Sequence, residues 1–375
     1  MNMLKVDDLS IGYHQADLNG KVAISLNIGA GFALRRAEVD GEEILLGSAA
    51  AKVYVNYVKA RMNELYDIPV ASSTTMNSMS LYWESDPEHY KKEIQQLLNE
   101  LFLIPIDWER LMQEKKDTME RYQENYKNLE FRGRMKMLEF TNANKNFEMN
   151  QLSSDLMGLN KEQIELLRSH LCFADNMFLF VHGDGTAAEL EQLTVPNHEK
   201  KDVQGIYSLS NWQYEQDVTL KKASKGSYQC GAIKFERHPT NIDLSIEHAV
   251  LSIIGEVLFN GRYEVHVDRV DAAITYFETS LKEYKQDAYA CLTDESIDAG
   301  KFAIAEKINR MVSSQPKQFV LMAGKMYFDR VDIYQWMAAI QQMHPEQIKF
   351  FLQERDYKIR EGYLNYYKGE NRYVG

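Results

Sequence analysis

The sequence is poor in cysteine, with three thiols, Cys172, Cys230 and Cys291, in 375 residues. Their odd number and wide spacing exclude a disulfide framework and a cysteine-rich zinc site, and they are typical of a reducing compartment. No stretch reaches the roughly 18 uncharged apolar residues that a membrane-spanning helix needs. Residues 1–8 carry acidic side chains and no apolar segment. We therefore expect no secretory signal, no membrane span and a cytoplasmic protein.

Positive charge is also in deficit, because 43 Lys and Arg stand against 55 Asp and Glu and give a formal net charge of −12. Binding to nucleic acid needs a clustered excess of basic residues, so the composition predicts no nucleic-acid partner. The hydrophobic content of 45% and the charged content of 26% are those of a folded globular chain. Since single cores stop growing beyond about 250–300 residues, the length predicts more than one domain.

The hydrophobic pattern occurs twice along the chain. Each half begins with a strand, continues with an amphipathic helix and further strands, and ends in several helices. The segments that define this repeat are Val22–Ile28, a helix after Gly41 and strands within Val70–Trp83 in the first half, and Tyr228–Glu236, Asp243–Leu258, Ala273–Leu281 and Ala288–Leu292 in the second. Strands followed by runs of helices indicate the α+β class.

We therefore predict an α+β fold of two structurally repeated halves, each an antiparallel-rich sheet covered by helices. The predicted boundaries are 1–194 for the first half, 195–204 for a polar linker that contains Pro196, and 205–375 for the second half.

The histidines form no recognisable metal site. His89 and Glu93 have helical i,i+4 spacing, but Lys91 and Lys92 between them favour a solvated face. Glu247 and His248 are adjacent and would not converge on one ion, and we expect them on the polar side of their helix. His182 precedes Gly183 and Asp184, which favours a turn histidine. Neither HExxH nor HxxEH occurs in the sequence, so we predict no metal site in this chain.

Arg269 follows a predicted helix and loop, and Tyr276 enters the next strand seven residues later. Taken alone, a surface ion pair and a strand tyrosine explain both residues. The order of elements changes this interpretation. The strand Val22–Gly31, the segment Ala71-Ser72-Ser73-Thr74, the strand Phe178–Asp184 and the pair Arg269 and Tyr276 together resemble the insulinase-like (pitrilysin or inverzincin) metallopeptidase family.

The resemblance has one large departure. Catalytic members carry HxxEH just after the glycine that opens the first helix, whereas this chain reads Glu42-Glu43-Ile44-Leu45-Leu46-Gly47-Ser48 after Gly41. The resemblance therefore implies a non-catalytic subunit that is inactive alone and holds no cofactor. In heterodimeric members a homologous subunit carries HxxEH and the zinc ion.

In that arrangement Arg269 and Tyr276 would act in trans on the partner's active site. An arginine provides a permanent cation and a tyrosine a neutral O–H donor, and two such groups can stabilise the oxyanion of peptide hydrolysis. The implied function is the processing of a precursor peptide, such as leader removal or bacteriocin maturation. More narrowly, the chain resembles the non-catalytic subunits of proteases that mature sactipeptide bacteriocins. The alternative is a pseudo-peptidase that only binds or scaffolds a peptide precursor.

Overall fold

A computed structural model describes residues 2–141, 149–196, 203–205, 228–236, 243–267, 272–279 and 290–364. The strands are β1 (Asn2–Val6), β2 (Leu9–Gln15), β3 (Val22–Ile28), β4 (Arg36–Val39), β5 (Glu42–Leu45), β6 (Ala71–Thr74), β7 (Met79–Ser85), β8 (Met177–Gly183), β9 (Val203–Gly205), β10 (Tyr228–Phe235), β11 (Tyr263–Val267), β12 (Ala272–Phe277) and β13 (Tyr357–Leu364). The helices are α1 (Ala50–Tyr66), α2 (Tyr90–Phe102), α3 (Trp108–Lys127), α4 (Leu129–Thr141), α5 (Met149–Gly158), α6 (Lys161–Leu171), α7 (Ala187–Leu190), α8 (Leu244–Phe259), α9 (Asp294–Ser314), α10 (Pro316–Phe328), α11 (Ile333–Gln342) and α12 (Pro345–Gln353).

The first sheet has six strands in the order β1-β2-β8-β3-β7-β6. β3 lies inside it and pairs antiparallel with β7 on one side and β8 on the other. Every residue of β3 and β8 is buried. A strand that is covered on both faces is often a continuous apolar run, as Met177–Val181 of β8 is, whereas β3 also buries Ser25 and Asn27.

The second sheet has four strands in the order β11-β12-β10-β13, and all its pairs are antiparallel. The four consecutive strands at one end of the first sheet have the order β8-β3-β7-β6. In each set of four strands, numbered by their order in the sequence, the first strand lies between the third and the fourth. The second strand lies at the outer end, beside the third. The two sheets therefore share one topology, and the predicted fold of two repeated α+β halves is confirmed.

The chain forms two compact units, and each combines three stretches of sequence. One comprises Met1–Arg121, Asn144–Ser208 and Glu306–Tyr334, and the other Tyr122–Ala143, Leu209–Ala305 and Gln335–Gly375. The boundary at 195–204 stays a prediction, although Val203–Gly205 at its end forms β9, which pairs with β4.

Each sheet is covered by a helix that comes from the other half of the sequence. α10 packs on β3, β7 and β8 in the first unit, and α4 packs on β10 and β12 in the second. Both helices carry a glycine at the crossing. A Cβ on Gly324 would lie 2.1 Å from the Asn27 side chain, and a Cβ on Gly133 would lie 2.8 Å from the ring of Tyr228. The missing side chains allow each helix to approach its sheet closely.

The predicted helix start after Gly41 is wrong. Asp40 and Gly41 both have positive φ, 51° and 87°, and they form the tight turn between β4 and β5. Two consecutive residues with positive φ match the twist of a two-stranded hairpin, and Asp-Gly is a preferred pair for it. The first long helix, α1, begins at Ala50 instead.

The predicted strand at Ala288–Leu292 lies partly outside the described residues, and the neighbours of β12 are β10 and β11. Within the described part of the chain, no helix combines the length and the apolar character needed to cross a bilayer.

Candidate functional site

Of the two predicted site residues, Arg269 lies outside the described part of the chain. Tyr276 lies on β12, and its side chain is 0% exposed. Its ring stacks on Phe259 of α8 with the ring centroids 4.2 Å apart. Its hydroxyl donates a hydrogen bond of 2.9 Å to Oε1 of Glu361 on β13. In this conformation the hydroxyl is turned towards its own sheet.

A glycine makes the contact between Tyr276 and Glu361 possible. Both residues are paired with Gly231, which lies between them on the central strand β10. A Cβ at Gly231 would lie 2.3 Å from the ring of Tyr276, so a side chain there would block the path of the tyrosine. Burial and the nearby Glu361 carboxylate raise the pKa of Tyr276 far above its ordinary value. The hydroxyl is therefore a neutral O–H donor that already has an acceptor in Glu361.

A second group of polar residues lies where α1 faces α3 and β6. Asn56 of α1 donates from Nδ2 to Oγ1 of Thr118 at 3.0 Å, and its Oδ1 accepts from Oγ of Ser72 at 2.8 Å. Arg121 donates to Oε2 of Glu114 at 3.0 Å and to Oγ1 of Thr118 at 3.4 Å. These contacts join two helices and the edge strand of the first sheet.

Two lysines lie on the same face of α1 as Asn56, because residues at i, i+4 and i+7 share a helix face. They are Lys52 and Lys59, and neither forms a hydrogen bond or an ion pair with a described residue. Burial of the ammonium group, together with repulsion from Arg121 and Lys59, lowers the pKa of Lys52. We call this set the α1–α3 cluster, and it comprises Lys52, Asn56, Lys59, Ser72, Glu114, Thr118 and Arg121.

The α1–α3 cluster does not fit a zinc ion. Two histidines at i and i+4, the spacing in HxxEH, would lie on one face of a helix and could bind one zinc ion. The residues with that spacing that face α3 are Lys52 and Asn56, and Thr118 lies opposite. Zinc in proteins is bound by Cys, His, Asp or Glu, and an ammonium or guanidinium group repels it. Across the described ranges, no three such side chains come together as a metal site.

The sequence analysis singled out none of the cluster residues, because it compared residues 42–48, which form β5 and the turn after it, with the family motif. The helical pattern contained a usable signal. The apolar stripe of α1 leaves Lys52, Asn56 and Lys59 together on the polar side, so the pattern predicts that these three residues share one helix face.

The cluster adjoins an open edge of the first sheet. β6 is the last strand in its sheet, and among the described strands it pairs with β7 alone. α1 packs directly on β6. An unpaired strand edge presents N–H and C=O groups to which a further strand can be added.

Two other predictions about titratable residues are corrected. His182 is not a turn residue, because it lies within β8 and is buried. Its Nε2 lies 2.8 Å from the carbonyl oxygen of Val312, so Nε2 carries the proton. The Nδ1 of His182 can then accept from Nδ1 of His14 at 3.0 Å. Burial, and secondarily His182, lower the pKa of His14.

Glu247 is not on a solvated helix face. It is 1% exposed and forms an ion pair of 3.0 Å with Arg355, which is 6% exposed. His248 is also buried and packs edge-on against Trp336. α8 is therefore covered on the side that the sequence analysis took as polar.

Comparison with solved structures identifies the fold. An M16-like peptidase from Alicyclobacillus acidocaldarius has a TM-score of 0.75 and 13% identity, covering 96% of this chain and 97% of that chain. An inactive peptidase M16 domain from Pseudomonas fluorescens has a TM-score of 0.62 and 12% identity, covering 96% and 97%. Pitrilysin has a TM-score of 0.61 and 13% identity, covering 99% of this chain and 44% of its own.

No protein-family model matches the sequence, and no curated protein matches it significantly. The similarity to the solved structures is thus one of fold. Over nearly its whole length, the chain has the two-part α+β fold of the M16-like, or pitrilysin-like, peptidases.

Proposed function

We propose that this chain is a non-catalytic subunit of a heterodimeric zinc peptidase that processes a precursor peptide. The observation that carries the proposal is the α1–α3 cluster. In a fold shared with peptidases, Lys52 and Asn56 are i and i+4 on α1, a spacing at which two histidines could bind zinc, and they are an ammonium group and an amide that is hydrogen-bonded on both sides. A domain with this fold and no activity has a precedent in the inactive M16 domain from Pseudomonas fluorescens.

The partner in this proposal is a homologous chain with HxxEH, and it holds the zinc. Arg269 and Tyr276 are the residues by which this chain would reach the shared active site. For Tyr276 this requires that the hydroxyl leave Glu361 and emerge from a fully buried position. The narrower form of the proposal is an AlbE-like subunit in the maturation of a sactipeptide bacteriocin.

The open edge of β6 supports binding of an extended peptide by strand addition, in which main-chain hydrogen bonds provide affinity and side-chain contacts provide selectivity. Binding of this kind needs an unfolded substrate. A precursor peptide meets that requirement, whereas a compact folded protein does not.

The test is reconstitution with a homologous HxxEH chain. We expect the mixture to elute as a 1:1 species in size-exclusion chromatography, with zinc bound to the partner and peptide cleavage that neither chain performs alone. Stoichiometric zinc and cleavage by the isolated chain would contradict the proposal. Two chains that stay separate at micromolar concentration would contradict the heterodimer.

The second candidate is a pseudo-peptidase that only binds or scaffolds a peptide. The buried hydrogen bond between Tyr276 and Glu361 favours it, because a binding protein has no use for an exposed oxyanion donor. The two candidates differ for the double variant Arg269→Ala, Tyr276→Phe. A reconstituted complex that keeps its full cleavage rate would exclude the role of this pair in catalysis and leave the binding function.

A further inference from the structure

We propose that the α1–α3 cluster binds a carboxylate of a peptide added along β6, with Lys52 as the cation that receives it. The inference rests on the proposed peptide binding at β6 and names the chemical group that this site selects.

The first step is the state of Lys52. It is partly buried, yet its ammonium group makes no hydrogen bond or ion pair with a described residue. Charged groups that leave water are normally paired, because an unpaired one loses its hydration without compensation. The groups that influence Lys52 are Arg121 and Lys59, which are both cations, and desolvation acts in the same direction by lowering its pKa. A bound anion would offset the two repulsions and compensate the ammonium group for its lost hydration.

The second step is the charge balance of the cluster. Its carboxylate, Glu114, is held by Arg121 at 3.0 Å and lies 3.9 Å from Arg110. It is therefore engaged on the α3 side, and no other described carboxylate forms an ion pair with Lys52 or Lys59. A local excess of positive charge in a chain with a formal net charge of −12 marks this face as different from the rest of the protein. Such a face attracts anions.

The third step is the position of the cluster beside the sheet edge. The Ser72 side chain points towards α1, where its hydroxyl contacts Asn56. Alternate side chains of a strand point to the same side of a sheet. A peptide paired with the free edge of β6 would therefore direct every second side chain to the side on which Lys52, Asn56 and Lys59 lie.

The fourth step is that the surroundings are already fixed. Asn56 has partners for its donor and its acceptor, and Thr118 accepts from Asn56 and Arg121. The network therefore has little need to rearrange, and the flexible lysine side chains are the groups that can adjust to a ligand. A carboxylate suits them, because hydrogen bonds between charged partners are shorter and stronger than neutral ones.

The experiment uses three decapeptides of alternating Ser and Thr, measured against the full chain by isothermal titration calorimetry. The first has a central Gln and a C-terminal amide and carries no carboxylate. The second has a central Glu and an amide, and the third has a central Gln and a free C-terminus. We expect the second or the third to bind at least about tenfold more tightly than the first. Whichever does so identifies the source of the carboxylate.

Three variants locate the effect. Lys52→Met should abolish the preference for the peptide that carries the carboxylate, whereas Lys52→Arg should retain most of this preference. Lys92→Met on α2 removes one positive charge elsewhere and should keep the full preference. Far-UV circular dichroism checks that each variant is folded. A further measurement on the native chain follows chemical acetylation of lysines by mass spectrometry. The peptide with the carboxylate should slow acetylation of Lys52 and leave the acetylation rate of Lys92 unchanged.

Equal affinity of the native chain for all three peptides would overturn the inference and leave peptide binding intact. A preference that survives Lys52→Met would also overturn it. If the native chain binds none of the three peptides, the proposed strand addition at β6 fails as well.

Discussion

Removal of a single oxygen by Tyr276→Phe separates the structural role of this tyrosine from a role in catalysis. The ring keeps its stacking on Phe259, and only the 2.9 Å hydrogen bond to Glu361 is lost. A hydrogen bond to a charged group contributes about 1.5–3 kcal/mol to stability. The free energy of opening of the second sheet should fall by that amount.

Hydrogen exchange with mass spectrometry measures this quantity locally, because it reports the free energy of opening for individual segments. Since each 1.4 kcal/mol is a factor of ten, amides of β10, β12 and β13 should exchange about 10 to 150 times faster in Tyr276→Phe. The matched control is Tyr363→Phe on β13, which removes a hydroxyl without a hydrogen bond to a described residue. This control should change the exchange rates of the same amides by less than about threefold.

The reasoning is refuted if Tyr276→Phe leaves exchange in the second sheet unchanged. In that case the hydroxyl does not stabilise the sheet, and its capacity as a donor is available for a substrate. A loss of cleavage by the reconstituted complex together with unchanged exchange would favour the catalytic role. Faster exchange together with full cleavage would favour the structural one.

Three further changes test the packing and the charges described above. Gly324→Ala should lower the free energy of unfolding by about 1–3 kcal/mol because a Cβ does not fit there, whereas Gly158→Ala, with open space around it, should change it by less than about 0.5 kcal/mol in urea denaturation. Arg355→Met should lower the free energy of unfolding by about 3–5 kcal/mol, because it leaves the buried carboxylate of Glu247 without its cation. Adding Glu247→Leu should restore much of the lost stability in thermal melts, and a double variant that is no more stable than Arg355→Met would contradict the role of this ion pair. Because the pKa of His14 is lowered by folding, the unfolded chain binds the proton more readily, so stability should fall as the pH drops below about 6.5. His14→Gln should flatten this dependence between pH 5 and 8, and an unchanged slope would refute the assignment.

Much of the fold can be predicted from local patterns. β3 is found from its alternating, partly β-branched pattern, and α6 and α8 from their N-caps, since Asn160 forms a capping box with Gln163 and Asp243 accepts from the backbone N–H of Ser245. The repeated order of strands and helices then indicates two equivalent sheets. These signals depend on only a few neighbouring residues and can therefore be recognised in a single sequence.

The wrong or missing predictions arise where a local pattern fits more than one structure or is too weak to recognise. Asp40-Gly41 is a hairpin signal that was taken as a helix start, because Glu42 and Glu43 also suit a helix N-terminus. β11 was missed because it is short and carries Glu264 and His266 among its apolar residues.

The α1–α3 cluster and the path of Tyr276 across Gly231 could not be predicted locally. Asn56 and Thr118 meet across 62 residues of sequence, and Tyr276 and Glu361 across 85. The sequence shows which residues could form such contacts, and the tertiary fold decides which of them do.

Because α10 and α4 each come from the other half of the sequence, the two sheets are covered at different stages of synthesis. All strands of the first sheet have been synthesised once Gly183 is added. The helix α10, which packs on β3, β7 and β8, is complete only at Phe328. At about 5–20 residues per second, the ribosome needs roughly 7 to 30 s to add the roughly 145 residues between these points. Throughout that time the face that carries Ser25 and Asn27 lacks the helix that will cover it. The second sheet has no such delay, because α4 is made before β10 and is already present when its sheet forms.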